Sequence, residues 1–440
     1  MITRIEAWRY RCFKRLAVDV GPVNVLCGAN GTGKTTLLDI PILLGDLVRE
    51  RYKPCAAAFL EPIASRGVQR AHTLQELIFQ GKDDAFVLAI EAKMPADVAA
   101  RFAEARVDSP DRSTAFETGP THLRYEVRFH QPDPTSIHVS HEYLFLFKEH
   151  RPPRADRQLQ GDLLIDKPRV WLIQRAGATA SYWKLARPLD AVIGRPRRVR
   201  PETIAVPLER LALASVPMDE SSNPEMAWLT TLLTTESVLF EPDSHALRRA
   251  SPPGQPKSVT RDGHSLVWMA LRLAQGTDEE KERYARWVEH VRSALPQIEN
   301  IRVHERMEDH YAYFEVQYRG GFSVTSSGLS DGTFRILTLT LLPYVTPRPR
   351  LLLTEEPETG IHPRAVEAVL QSLGSLYQSQ VWFSTHSPVV LAHTDLAQIL
   401  CARLGPEGEV DVIPGAKHPR LRGWKHDIDL GSLFAAGVLG

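Results

Sequence analysis

A five-residue apolar run, Val23-Asn-Val-Leu-Cys27, leads directly into Gly28-Ala-Asn-Gly-Thr-Gly-Lys34-Thr35, and Thr36-Leu-Leu-Asp-Ile40 follows. The order is strand, glycine-rich turn closing on Lys-Thr, then helix, and few architectures accommodate it. Glycines let the backbone curl until successive N–H groups converge, and the helix start adds its partial positive charge. The group that fits such a cradle is a polyphosphate. The spacing predicts a nucleoside triphosphate site lined by Asn30, Gly31, Gly33, Lys34, Thr35 and Thr36. Lys34 is placed to reach the β- and γ-phosphates, and the Thr35 hydroxyl to ligate Mg2+.

A chain of 440 residues holds two or three domain-sized units, or one composite domain with a large insertion. The 43% hydrophobic content allows a sizeable core, and the formal net charge of zero gives no global basic footprint for nucleic acid. Arginine far outnumbers lysine among the 53 basic residues, which suits phosphate recognition. Cys12, Cys27, Cys55 and Cys401 are scattered with no CxxC pair, which argues against zinc and for a reducing, intracellular setting. No signal peptide opens the chain and no apolar stretch is long enough to span a bilayer. A cytoplasmic protein without a membrane partner is expected.

Strands are expected within Ile2–Val20, at Ala85–Glu91, at Leu123–Phe129 and at Val170–Gln174. The helix after the glycine-rich turn is expected to reach Arg49. Ser265 to Leu295 reads as a helical tract, because Leu266, Met269, Leu273, Trp287 and Val291 recur at helical spacing before Pro296. No heptad repeat is sustained, so no long coiled coil is expected. The pattern divides the chain into 1–105, 106–320 as an insertion, and 321–440.

Three further signals follow near the C-terminus. Ser326-Ser-Gly-Leu-Ser-Asp-Gly-Thr333 precedes the apolar run Phe334–Leu342, with Ser330 placed as an N-cap and Gly332 keeping the first turn uncrowded. Such a helix start is an anion site in principle, although capped helices are common. Arg350-Leu-Leu-Leu-Thr-Glu-Glu-Pro-Glu358 reads as a buried parallel strand delivering carboxylates at its C-terminal edge. There Glu355 would hold Mg2+ through its water shell, and Glu356 would orient or deprotonate the attacking water. Gln380-Val-Trp-Phe-Ser-Thr-His-Ser-Pro388 is another apolar strand ending in polar residues, with His386 placed to hydrogen-bond a γ-phosphate. A lone histidine is usually structural, but here it ends the strand next in sequence to the acidic one.

The four signals in this order resemble the ABC-type ATPases of the RecF, SMC and OLD group, over roughly residues 1–90 and 260–440. Tyr10-Arg-Cys-Phe-Lys14 looks like the start of these proteins. Leu329-Ser-Asp-Gly-Thr333 looks like their signature, Glu355-Glu-Pro-Glu358 with His362-Pro363 like their Walker B and D-loop, and Thr385-His-Ser-Pro388 like their H-loop. Asp331, Thr333 and a glutamate as first Walker B acid are variants familiar in OLD-like proteins. The Q-loop glutamine is not placed; Gln80 and Gln131 are candidates. The resemblance implies an α/β fold, a P-loop NTPase head of ABC type with mixed and parallel sheets and a helical-plus-strand insertion (lobe II). It also implies two cofactors, ATP and Mg2+, and a head-to-tail homodimer, or a higher oligomer, in which Ser330 and Gly332 of one chain meet the γ-phosphate at Lys34 of the other.

About 54 residues follow His386. The expectation is an OLD-like head without the C-terminal TOPRIM nuclease domain, with Asp427 and Asp429 as surface or capping residues. A standalone ATPase of a bacterial anti-phage defence system is the leading functional expectation, with a nuclease or toxin as protein partner. A RecF-like ATPase binding DNA directly is the alternative. Its support is a basic run, Arg187, Arg195, Arg197, Arg198 and Arg200, with a shorter cluster at Arg151, Arg154 and Arg157. A transporter subunit is disfavoured, since about 295 residues separate Lys34 from the signature where about 100 suffice.

Overall fold

The computed structural model describes residues 1–104, 120–148, 170–183, 201–217, 223–421 and 429–439. The chain forms two compact units, each discontinuous in sequence. Met1–Gly21, Asp39–Thr235 and Arg403–Val412 make the first; Pro22–Leu38, Glu236–Ala402 and Ile413–Gly440 make the second.

Counting strands along the chain, β1 (Ile2–Tyr10) and β2 (Phe13–Asp19) form a hairpin in the first unit, while β3 (Val23–Cys27) belongs to the second. The first unit continues with β4 (Ala85–Lys93), β5 (His122–Asp133), β6 (Ser136–Phe147), β7 (Val170–Ala176), β8 (Thr179–Tyr182) and β9 (Glu202–Ala205). They build an eight-stranded antiparallel sheet in the order β2-β1-β4-β5-β6-β7-β8-β9. Phe86 and Phe129 stack on it, and Phe59, from the short helix Ala57–Leu60, meets both rings edge-on, at ring separations of 4.9 to 6.1 Å. Arg124 on β5 is buried among three carboxylates, with Glu6 and Glu126 at 2.7 Å and Glu91 at 3.1 Å. Burial pushes Glu6 upward, but the Arg124 and Arg4 guanidiniums outweigh it and hold the carboxyl at about 2.

In the second unit β10 (Ser237–Leu239), β14 (Leu351–Glu355), β15 (Gln380–Thr385), β3 and β16 (Ile399–Leu404) lie parallel in the order β10-β14-β15-β3-β16. Leu351, Leu352, Leu353 and Thr354 are all buried, as are all six residues of β15. Strands covered on both faces read as continuous apolar runs, which is why the sequence pattern here has no period of two. A separate antiparallel sheet joins β11 (Ile298–Glu305), β12 (Ala312–Tyr318) and β13 (Ser323–Thr325). The fold is α/β, with a parallel sheet carrying the P-loop and with antiparallel sheets besides. Among the described residues the longest helix has 17 residues, so no long coiled coil is present there.

The helical tract expected over 265–295 is two helices, His264–Gln275 and Asp278–Ala294. The break falls at Gly276–Thr277, where a capping box starts the second helix: Thr277 accepts from the Glu280 amide and Glu280 reaches back to Thr277 N at 2.8 Å. Trp287 and Val291 face the core, and the Trp287 indole N–H donates to Thr340 Oγ1 at 3.1 Å.

Candidate functional site

The glycine-rich turn leaves the end of β3. Gly28 has φ +146°, and a Cβ there would stand 2.1 Å from the Ala402 carbonyl, so only glycine lets the two strand ends approach. Gly31 and Gly33 are left-handed at φ +77° and +71°. Thr32 Oγ1 donates to Ala29 O at 2.7 Å across the turn, and Leu37 N to Gly33 O at 2.9 Å as the helix Lys34–Arg49 begins. The first N–H groups of that helix have no intrahelical acceptor and open toward the cradle. Asn30 and Gly31 are exposed at its rim; Thr36 is half-buried one residue beyond Thr35. Lys34 is 7% exposed, and its ammonium donates to Gly28 O at 3.0 Å and Ala29 O at 2.8 Å. An ammonium has three donors, so one remains for a phosphate oxygen. Burial pushes Lys34 below the usual lysine range, while Glu356, Cys27 and Glu355 pull it back.

Register carries the acidic residues to the same edge. Glu355 pairs with Ser384 across β14 and β15, and Thr385 with Cys27 across β15 and β3. The strand ends bearing Glu355, His386 and Gly28 are therefore neighbours. Thr35 Oγ1 donates to Glu355 Oε2 at 2.8 Å. A hydroxyl and a carboxylate so placed are hard oxygen donors, the set Mg2+ takes when it keeps several waters. The residues present fit both a polyphosphate and that cation.

Glu356 holds a left-handed φ of +41°, unusual for a non-glycine residue. Three bonds fix it there: its amide donates to Ser384 O at 3.0 Å, its carbonyl accepts from Arg335 Nη1 at 3.0 Å, and its carboxylate accepts from Thr359 Oγ1 at 3.1 Å. Strain held by surrounding bonds is typical of functional positions. Glu356 Oε1 stands 3.8 Å from His386 Nε2. Burial and the Lys34 charge push His386 below the usual histidine range, against the pull of Glu356, so the imidazole is neutral at pH 7.

Lys34, Thr35, Glu355, Glu356 and His386 thus share one cluster. Ser330 and Gly332 do not join it by any hydrogen bond or ion pair among the described residues. Ser330 is exposed and caps the helix Asp331–Leu341, accepting from Thr333 N at 3.2 Å. Gly332 has a reason of its own: a Cβ would stand 2.3 Å from the Gly360 carbonyl. His362 caps the helix Pro363–Gly374, and Asp429 caps Leu430–Ala435. Gln80 and Gln131 lie in the first unit, where Gln80 Nε2 donates to Glu407 O at 2.6 Å. Asp427 and the arginines at 151, 154, 157, 187, 195, 197, 198 and 200 lie outside the described residues.

Sequence reasoning missed Arg335 and gave Glu358 no role. Thr385 Oγ1 donates to Glu358 Oε1 at 2.5 Å, tying the acidic loop to the strand end before His386. The third glutamate of Glu355-Glu-Pro-Glu358 was visible as a signal, but nothing in the spacing says which way it turns. Arg335 sits one turn into the helix that Ser330 caps, a position that looks like ordinary helix surface.

Residues 237–392 match the family model described as "AAA domain, putative AbiEii toxin, Type IV TA system", a span of less than half the chain. The matched span includes Glu355, Glu356 and His386. No curated protein matches the chain. Among solved structures, the Smc head bound to the C-terminal winged-helix domain of ScpA is similar at 14% identity and TM-score 0.48, over 94% of this chain and 97% of its own. A Pyrococcus furiosus Smc head with an extended coiled coil gives 12% and 0.48, over 94% and 95%. The Thermotoga maritima SMC head gives 10% and 0.38, over 94% and 98%. The fold assignment rests on this chain's own strand order. Among the described residues, no helix is long and apolar enough to cross a membrane.

Proposed function

We propose that the chain is an ATP-hydrolysing switch that closes head-to-tail as a dimer around two Mg-ATP. The observation that carries the reading is the Thr35–Glu355 hydrogen bond at the mouth of the glycine-rich turn, with Glu356 and His386 beside it. Bound Mg2+ would supply charge neutralisation between the β- and γ-phosphates, held by Thr35 and by Glu355 through water. Lys34 binds the phosphates with its remaining donor. Glu356, fixed by Ser384 and Arg335, accepts a proton from the attacking water or orients it. Neutral His386 donates a hydrogen bond to the γ-phosphate without adding a cation to the site.

The dimer is inferred from Ser330. Its hydroxyl is exposed at a helix start and stands apart from the Lys34 cluster of its own chain, so the phosphate it suits is one presented by a second copy. The match to a family described by toxin–antitoxin function supports a role as ATPase component of a bacterial defence system with a nuclease or toxin partner. Hydrolysis by the wild-type chain, compared with Lys34→Ala and Glu356→Gln, tests the enzymatic reading. A wild-type rate no higher than that of Lys34→Ala would overturn it.

A further inference from the structure

The bonds around Glu358 assign it a task that Glu355 and Glu356 do not share. Glu358 is half-buried in the loop after β14, and Oε1 accepts the Thr385 hydroxyl at 2.5 Å. Thr385 Oγ1 in turn accepts from Ser387 N at 3.0 Å, so its one proton is committed to Glu358. Burial pushes the Glu358 carboxyl above the usual carboxylate range, and the hydrogen bond from Thr385 opposes that shift. His386 is therefore the middle residue of a tripeptide, Thr385-His-Ser387, whose two outer residues are tied to each other and to Glu358 through the Thr385 hydroxyl. Among the described residues its own ring has one ion-pair neighbour, Glu356, at 3.8 Å.

The clasp joins β14 and β15 beyond the end of their shared ladder. Ladder pairing between β14 and β15 ends at Glu355 and Ser384, one residue short of Thr385 and two short of His386. Beyond that point Glu358 and the Glu356–Ser384 backbone bond join the two loops. The other Glu358 oxygen, Oε2, is buried without a hydrogen-bond partner. A half-buried carboxylate with one unsatisfied oxygen costs stability, and it is tolerated here where it orients a neighbour.

We propose that Glu358 is the positioning residue for His386, acting through the Thr385 hydroxyl rather than touching nucleotide. The inference rests on the hydrolytic reading of the site. Its test is steady-state ATP hydrolysis by the full chain, with kcat and KM measured separately for Glu358→Ala, Glu358→Gln, Thr385→Val, Thr385→Ser, His386→Ala and the double variant Glu358→Ala/His386→Ala. Glu358→Ala and Thr385→Val are each expected to lower kcat about tenfold while KM stays within about twofold. Thr385→Ser, which keeps the hydroxyl, and Glu358→Gln, which keeps an acceptor oxygen, restore kcat to within about threefold of wild type. The double variant is no slower than His386→Ala, because a residue acting only through His386 has nothing left to position.

A double variant slower than His386→Ala by the full Glu358→Ala factor overturns the proposal, as does Glu358→Ala at the wild-type rate. If Glu358→Ala fails to fold, the Thr385→Val and Thr385→Ser pair and its cycle with His386→Ala decide in its place. A wild-type chain with no turnover above Lys34→Ala overturns the hydrolytic reading and this inference together. Turnover that persists while Glu358 proves indifferent overturns this inference alone.

Discussion

Lys34 illustrates how one side chain is held ready for charge it does not itself supply. Two loop carbonyls hold its ammonium, and burial lowers its pKa while Glu356 and Glu355 beyond them oppose that shift. Lys34→Ala removes the ammonium at the glycine-rich turn, so nucleotide binding or turnover is expected to be abolished, as read by ATP titration and phosphate release. His386 carries a pH consequence whose sign follows from its environment. Its folded pKa lies below the usual histidine value, so the neutral form persists as pH falls through about 6.5 and protonates only further down. The histidine-dependent acid limb of kcat/KM, which reports the free enzyme, is therefore expected below about pH 6.5, and His386→Asn abolishes that limb. An acid limb centred above that value would contradict the assignment. Gly332 is a different case, set by packing alone. Gly332→Ala drives a methyl into the Gly360 carbonyl and is expected to cost about 1–3 kcal/mol of stability, read from the denaturant midpoint.

At the scale of elements, the strands and helix around the glycine-rich turn were legible because each signal is local. Val23–Cys27 is a short apolar run, and Lys34–Arg49 starts where the glycines end. The Ser330 cap was legible for the same reason. The tract 265–295 was legible as helix but not as two helices: the break at Gly276 and Thr277 lies in a polar stretch that any exposed helix turn could carry, and the capping box shows only as Thr277 followed three residues later by Glu280. The charged layer of the antiparallel sheet was invisible too, because Arg124, Glu6 and Glu91 come from strands distant in sequence. That layer makes a prediction. The Glu6 carboxyl is held at about 2 in the folded chain and stands near the ordinary glutamate value of about 4.5 when unfolded, so its contribution is complete above pH 4.5 and drains away toward pH 2. The linkage is of order 3 kcal/mol. Glu6→Gln is expected to lower stability at pH 7 and to flatten its decline between pH 4.5 and 2, measured by urea midpoints across that range.

For the whole molecule the question is whether nucleotide joins two chains. Glu356→Gln keeps the shape of the site but removes the proton acceptor, so ATP should remain and the closed form accumulate. The solution mass of that variant is expected to double on adding Mg-ATP and to stay single with EDTA, since the Thr35–Glu355 pair would then lack its cation. Ser330 gives the specificity control. Ser330→Ala removes the cap and costs about 1 kcal/mol without filling the helix start. Ser330→Arg loses the same cap and also places a long side chain where a phosphate from a second copy would sit. In the Glu356→Gln background, Ser330→Ala should still dimerise with Mg-ATP and Ser330→Arg should not. The difference between those two variants isolates the collision from the lost cap. Dimerisation by Ser330→Arg would rule out the shared site while leaving single-chain hydrolysis at Lys34 and Glu356 intact.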